Sequence, residues 1–170
     1  ESQIADATGV VSCLGHNLDF KGIWGQPRML VTESVQKLTA AMQKTKTRPG
    51  KKKQKFILMG SDGVAHLAGT DDVRSLTERA ILSIIRFLIP PHADNEAAAA
   101  YLYGLDREKS SIEWTVVRPT DLIDGDAGKY ILYSKPQGSL FGGGAATRAN
   151  VAKSMVDLLT NEKVWEQWKY

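Results

Sequence analysis

Apolar residues fall along this chain in two rhythms: short continuous runs, and longer stretches in which they recur every three or four positions. The runs read as strands. Val10-Val11-Ser12-Cys13-Leu14 is β-branched and apolar and is stopped by Gly15, which predicts a buried parallel strand rather than a helix. Phe56-Ile57-Leu58-Met59, closed by Gly60-Ser61-Asp62-Gly63, predicts a second. Ile112-Glu113-Trp114-Thr115-Val116-Val117, ending at Arg118-Pro119, predicts a third. Tyr130-Ile131-Leu132-Tyr133 is a candidate short strand inside an irregular, glycine-rich stretch over 121–144.

The longer rhythm predicts helices between these runs. Residues 26–42 carry Leu30, Val31, Val35, Leu38, Ala41 and Met42 at helical spacing, with Pro27 near the first turn, where proline is tolerated. A second helix spans about 71–88, with Asp71 or Asp72 placed to cap it and Pro90-Pro91 to stop it. Asp94 is placed to cap a third over 95–103, and Gly104 to end it. Asn150 is placed to cap a helix carrying Val151, Met155, Leu158 and Leu159, and 164–168 form a last turn or short helix. Strands alternating with helices imply an α/β fold with parallel strands and right-handed crossovers. Ligands in such sheets lie beyond the strands' carboxyl ends, here 13–17, 60–63 and 118–122. The 170 residues suit one domain, 1–170, with neither an internal repeat nor a convincing boundary.

Composition narrows the chemistry. With 42% hydrophobic and 24% charged residues the chain is neither disordered nor fibrous, and no apolar run reaches the length of a membrane-spanning helix. A single cysteine, Cys13, cannot form an internal disulfide and suits an intracellular, reducing compartment. At a buried strand end it reads as a small core residue rather than a nucleophile. His16, His66 and His92 are scattered without metal-ligand spacing. The net charge is +3, and much of the basic excess sits in a run from Lys44 to Lys55. That run reads as a solvated loop; nucleic acid is an unlikely partner, because no aromatics interleave with the lysines. The first eight residues lack the basic start and apolar centre of a signal peptide, and the chain reads as though it begins in the middle of something. The expected location is the cytoplasm or an organelle such as a mitochondrion or plastid.

At the three strand ends the sequence resembles the atypical short-chain dehydrogenase/reductases, especially their NmrA-like, NAD(P)-binding branch. The resembling pieces are Val10-Val11-Ser12-Cys13-Leu14-Gly15, Phe56-Ile57-Leu58-Met59-Gly60-Ser61, Trp114-Thr115-Val116-Val117-Arg118-Pro119 and the late Thr147-Arg148-Ala149-Asn150-Val151-Ala152. The resemblance implies a partial Rossmann-like parallel sheet, its strands matching the family's fourth to sixth, in the carboxyl-terminal portion of an NAD(P)-binding domain. It also implies that Leu14, Gly15 and His16 line the cofactor's ribose and adenine side. Ser61 would stand near the nicotinamide, and Pro119, Thr120 and Leu122 would contact its amide. The family's glycine-rich phosphate turn does not open this sequence; Gly142-Gly143-Gly144 reads as a flexible loop. NAD(P) is therefore expected in the complete protein, and weak or no binding by this segment alone.

The family's usual proton-transfer pair, a tyrosine with a lysine one helical turn later, is missing where Pro90-Pro91-His92-Ala93-Asp94-Asn95-Glu96 stands. Tyr103 and Arg107 have the spacing but are separated by Gly104, and arginine does not replace lysine in this role. His92, oriented by Asp94 or Glu96, is the candidate substitute acid, with Asp94 as a plain helix cap the blander reading. Three functions compete. The first is an NAD(P)-dependent oxidoreductase or isomerase of unknown small-molecule substrate. The second is a non-catalytic accessory subunit of a larger complex. The weakest is RNA or lipid association through the basic run. The strand at 10–14, apolar and at a sheet edge, calls for cover by an upstream half of the protein or by a partner chain. Trp165, Trp168 and Tyr170 read either as part of a partner-facing tail or as packing on the core.

Overall fold

The computed structural model describes residues 4, 6–17, 19–45, 52–64, 75–135 and 144–170. Strands β1 (Gly9–Ser12), β2 (Gln54–Met59) and β3 (Ile112–Val117) form one sheet in the order β1-β2-β3. Both pairs are parallel, with Val11 beside Ile57 and Ile57 beside Thr115. A parallel pair of short strands, β4 (Asp121–Ile123) and β5 (Ala145–Thr147), stands beyond β3 in sequence. The helices are α1 (Phe20–Trp24), α2 (Leu30–Lys44), α3 (Leu76–Leu88), α4 (Pro90–Tyr103), α5 (Arg148–Thr160) and α6 (Glu162–Trp168). A parallel sheet flanked by helices is what the alternation of runs implies.

β2 is apolar without alternation because it is covered on both faces. Phe56 and Leu58 join Ile112 and Trp114 against α2 and α4, where Val31, Val35, Ala98 and Leu102 complete one core. Ile57 points the other way, to Val151, Met155 and Leu158 of α5 and Trp165 of α6. Each such side chain contributes about 1.5–3 kcal/mol through burial. At Gly9 the chain needs glycine: a Cβ there would lie 2.4 Å from Lys55 O and 2.7 Å from Leu159 Cδ1. The missing side chain lets β1 close on β2.

Several elements depart from the expectations above. β1 ends at Ser12, so Cys13 and Leu14 follow the strand, and Cys13 is exposed rather than a core residue. α2 starts at Leu30, after Pro27, and runs on to Lys44. The short helix α1 goes unannounced by any apolar period. Asp71 and Asp72 lie outside the described residues; α3 starts at Leu76, capped by Ser75, whose side chain and that of Glu78 bond each other's backbone amides. Pro90-Pro91 ends one helix and opens the next, so Asp94 is interior to α4 and does not cap it. Residues 130–133 form no strand, and Thr147 rather than Asn150 caps α5.

The basic run is also corrected, and Trp165 and Tyr170 of the aromatic tail take the core-packing alternative. Lys55 is no solvated loop residue: it is buried in β2, donating to Leu159 O and Glu162 beside the Trp165 ring. Residues 46–51 of that run lie outside the described residues. Trp165 is buried, its indole N–H donating to Glu113 at 2.6 Å. Tyr170 packs edge-on against Trp114, so both belong to the fold's interior. The outer layer is different. α3 buries only Leu82, while Phe87 is 86% and Phe20 of α1 is 79% exposed. No helix among the described residues is long and apolar enough to cross a membrane.

Candidate functional site

Because β1, β2 and β3 run parallel, the loops after them emerge at one end of the sheet. Those after β2 and β3 are tied together by backbone. Gly60 N–H donates to Val117 O at 2.8 Å and Asp62 N–H to Pro119 O at 3.1 Å, so the turn after β2 is fixed to the turn after β3. Arg118 adds a third tie, donating to Val64 O at 3.0 Å.

Ser61 and His92 meet in this turn. The Ser61 hydroxyl accepts from Gly63 N–H at 3.3 Å. A Cβ at Gly63 would lie 3.2 Å from His92 Cε1 and 3.6 Å from Ser61 Oγ, so both side chains border the same point. Glycine at 63 lets α4 bring His92 against the backbone. The buried His92 Nε2 faces Glu96 Oε1 at 3.4 Å, in ion-pair range but without a formed hydrogen bond. Glu96 is gripped from its other side by Arg86, Nε to Oε2 at 2.6 Å and Nη2 to Oε1 at 2.8 Å. Burial acts to raise the Glu96 carboxyl, but the His92 imidazole and the Arg86 guanidinium outweigh it and bring it down to about 2.

His16 stands in the other loop, after β1, and it is Asp94 that takes it: Nε2 to Oδ2 at 2.7 Å, with the two side chains 5% and 0% exposed. The same carboxylate accepts from Val31 N–H at 2.8 Å, Thr32 N–H at 3.0 Å and the Thr32 hydroxyl at 2.6 Å. Asp94 therefore caps α2, a helix far from it in sequence, and answers the positive end of that helix's dipole. Burial would raise its pKa; the hydrogen bonds from Thr32 and His16 and the two amides bring it below the usual carboxylate value. The pairing thus divides what the sequence left open: Glu96 belongs to His92, and Asp94 to His16.

The other candidates sit on the rim. Leu14 is 41% exposed, and nothing lies within 4 Å of where a Gly15 Cβ would be. Gly15 and His16, with Gln26, Pro27 and Leu30, line a hollow of about 380 Å³ at the end of β1. Pro119 and Thr120 are half-buried after β3, and Leu122, in β4, packs against the Trp165 core. Pro119 and Thr120, with Asp62, open on a larger cleft of about 790 Å³ beside β3.

Among the described residues no usual tyrosine–lysine pair forms. Tyr103 packs edge-on against Trp114, and Arg107 lies over the Trp114 and Tyr170 rings. Tyr130 has Lys153 beside its ring, but its hydroxyl donates to Asp157. Burial and that carboxylate push Tyr130 up to about 12, opposite to the shift a proton-transferring phenol needs. Among the described residues no cluster of histidine, cysteine and carboxylates could hold a metal ion. Sequence reasoning missed Gly63 and the capping of α2 by Asp94. A glycine four residues past a strand carries no signal of its helix neighbour, and a cap from 62 residues away carries none at all.

The fit to a dinucleotide is partial. The open backbone at Gly15, the exposed Leu14 and the tied turn at residues 60–63 and 117–119 offer one wall for a ribose and a flat ring. The glycine-rich turn that holds a pyrophosphate is not among these loops.

Comparison with known proteins bears on the family and the fold. Residues 1–162 match a protein-family model described as NAD(P)H-binding. No curated protein matches. Among solved structures, the chain is similar to a protein described as an NAD-dependent epimerase/dehydratase from Bacillus halodurans, at 19% identity and a TM-score of 0.54. That match covers 96% of this chain and 63% of the other. It is also similar to ChuY, an anaerobillin reductase from Escherichia coli O157:H7, at 19% identity and a TM-score of 0.45, covering 95% and 65%. The chain thus spans just under two thirds of each. At such identity the first likeness shows a shared Rossmann-like fold and nothing of the substrate.

Proposed function

This chain belongs to the NAD(P)H-binding family, and from that premise we propose that it forms the nicotinamide side of an NAD(P)-dependent oxidoreductase of the atypical short-chain, NmrA-like type. The observation that carries the reading is the tied turn after β2 and β3, which sets Ser61 and His92 around one point beside Pro119 and Thr120.

In this reading Leu14, Gly15 and the backbone of His16 border the ribose, since the His16 imidazole is committed to Asp94. Pro119, Thr120 and Leu122 hold the nicotinamide ring at the end of β3. The cofactor, when bound, supplies a hydride donor or acceptor. The Ser61 hydroxyl orients the reacting oxygen of the substrate, and His92 stands ready to give or take its proton in place of the absent tyrosine. Glu96, fixed by Arg86, keeps a carboxylate oxygen 3.4 Å from His92 Nε2 and so holds the ring in place beside Ser61. The phosphates call for a glycine turn that these residues lack, so the chain by itself holds the dinucleotide weakly.

Amide NMR titration of the chain with NADPH and with nicotinamide mononucleotide tests this. Shifts should gather at 14–16, 60–63 and 118–122, with fast exchange. Shifts elsewhere, or none at saturation, would end the cofactor reading; tight stoichiometric binding would end its weak-affinity clause. Ser61→Ala should leave folding unchanged and lower turnover in the complete protein roughly tenfold or more, as loss of one oriented hydrogen bond does. Unchanged kinetics would remove Ser61 from the site.

A further inference from the structure

The cleft of about 790 Å³ is far larger than a nicotinamide ring requires, and it is continuous with the turn at Asp62, Pro119 and Thr120. Its floor includes Thr115, Val116 and Val117 of β3, the last strand of the sheet, and its far end reaches Arg107 and Tyr170. Tyr170 N–H bonds Trp114 O, so from that end to Pro119 the cleft follows five residue steps of extended chain, about 16 Å. The cleft is therefore long, and one end opens on the proposed nicotinamide site.

Its lining is one-signed. Arg107, Arg118, Lys129, Lys135 and Lys169 border it, and among the described lining residues only Asp62 is acidic. These cations differ in how much charge they leave for a ligand. Lys169 is answered by Glu113 at 2.8 Å and by Glu166 at 3.0 Å. Arg107 and Lys129 make no ion pair among the described residues. Arg107 lies with its guanidinium carbon 4.9 Å from the Tyr170 ring centroid, which fixes the group over the ring and leaves N–H donors for an anion. The rest of the lining is rich in flat apolar surface: Tyr103, Tyr130, Tyr133, Trp168 and Tyr170. Rings of this kind favour a flat, aromatic partner, and partly screened cations reward negative charge placed near them.

We propose that this cleft takes the substrate, and that the substrate is an elongated aromatic molecule with acidic groups at separated positions. One acidic end would meet Arg107, the ring system would lie along Tyr133 and Trp168 with Lys129 beside it, and the reducible end would reach the turn of Ser61 and His92. The assignment of that last end rests on the nicotinamide reading given above; the anion-binding cleft itself does not.

The test is binding of naphthalene-2,6-dicarboxylate to the full chain, followed by calorimetry and by tryptophan fluorescence, against naphthalene-2-carboxylate and the neutral 2-acetylnaphthalene. The dicarboxylate should bind roughly tenfold more tightly than the neutral ring and lose most of that advantage between about 0.05 and about 0.5 M NaCl. Arg107→Gln and Lys129→Gln should each weaken the dicarboxylate about three- to tenfold and leave the neutral ring unaffected, whereas Lys163→Gln, on the exposed side of α6, should change nothing. Arg107 also packs on two rings, so Lys129→Gln, on an exposed loop, keeps the test decisive if Arg107→Gln fails to fold. Equal binding of the neutral ring, no binding of any probe, or indifference to Lys129→Gln would overturn the proposal. So would displacement of the dicarboxylate by an acidic hexapeptide at lower concentration, which would make the cleft a peptide groove. NADPH shifts measured on the same sample separate the two ideas. Shifts at 14–16 without dicarboxylate binding sink only the cleft, and dicarboxylate binding without those shifts sinks only the cofactor reading.

Discussion

Helix α4 takes part in two histidine–carboxylate pairs, supplying His92, Asp94 and Glu96 within five residues, and the pairs are built to opposite standards. In His16–Asp94 the acid is fully buried and accepts four hydrogen bonds from α2 and the histidine. In His92–Glu96 the contact is 3.4 Å long, Nε2 makes no hydrogen bond, and the acid is held from the solvent side by a half-exposed arginine. Residue types alone do not distinguish the two. Saturation of hydrogen bonds does: a saturated pair holds chain segments together, whereas a pair with unspent capacity beside Ser61 retains something for a ligand.

The sharpest way to break the comparison is Asp94→Ala. It strands two buried amides at the start of α2 and the His16 ring, leaves the Thr32 hydroxyl only the carbonyl of residue 94, and should cost about 3–4 kcal/mol in urea unfolding. A loss below about 1 kcal/mol would mean that Asp94 is no hub. Gly63→Ala comes next. Its Cβ would crowd His92 Cε1 at 3.2 Å, so the ring or the turn must move by a few tenths of an ångström. An expected cost of about 1 kcal/mol should come with amide shifts at 60–63 and at His92, and none at His16.

Glu96 gives a smaller effect with a signature in pH. Its carboxyl titrates at about 2 in the folded chain against 4.5 when free, so the unfolded chain binds the proton first as the solution is acidified. The stabilisation is complete above about pH 4.5 and is lost as pH falls from there through 2. Because Arg86 is 42% exposed, the pair is worth about 1 kcal/mol. Unfolding midpoints of the wild type and Glu96→Gln should differ at pH 6 and converge toward pH 2. A constant gap would assign the acid sensitivity to other carboxylates.

The contrast between the pairs also shows what was legible in the sequence. β2 was written in a continuous apolar run because both of its faces are covered, β3 in one broken by Glu113 and Thr115, and the ends of those runs located the loops that build the site. Ser61 and His92 could be named from position along those runs. Their convergence could not, because it depends on Gly63 lying under α4. Asp94 was read as the cap of its own helix since local spacing supports that, and the proline pair that starts α4 early places it inside instead. Lys55 was hidden by its neighbours: in a run of lysines, only the strand register shows that one is buried beside Trp165.

The smallest expected effect tests the comparison most directly, because it perturbs nothing. In long-range ¹⁵N–¹H spectra of the imidazoles, His16 should show a proton fixed on Nε2, since that nitrogen faces Asp94 Oδ2 at 2.7 Å and a buried carboxylate only accepts. His92 has no such bond to fix it, and its two ring nitrogens should report an exchanging mixture. Nicotinamide mononucleotide should then move the His92 ring signals and leave those of His16 in place, because the His16 ring is turned into the α2 cap while His92 borders the turn shared with Ser61. If His16 moves and His92 stays silent, the roles are reversed: the buried pair is the one that senses ligand, and His92 is the packing residue.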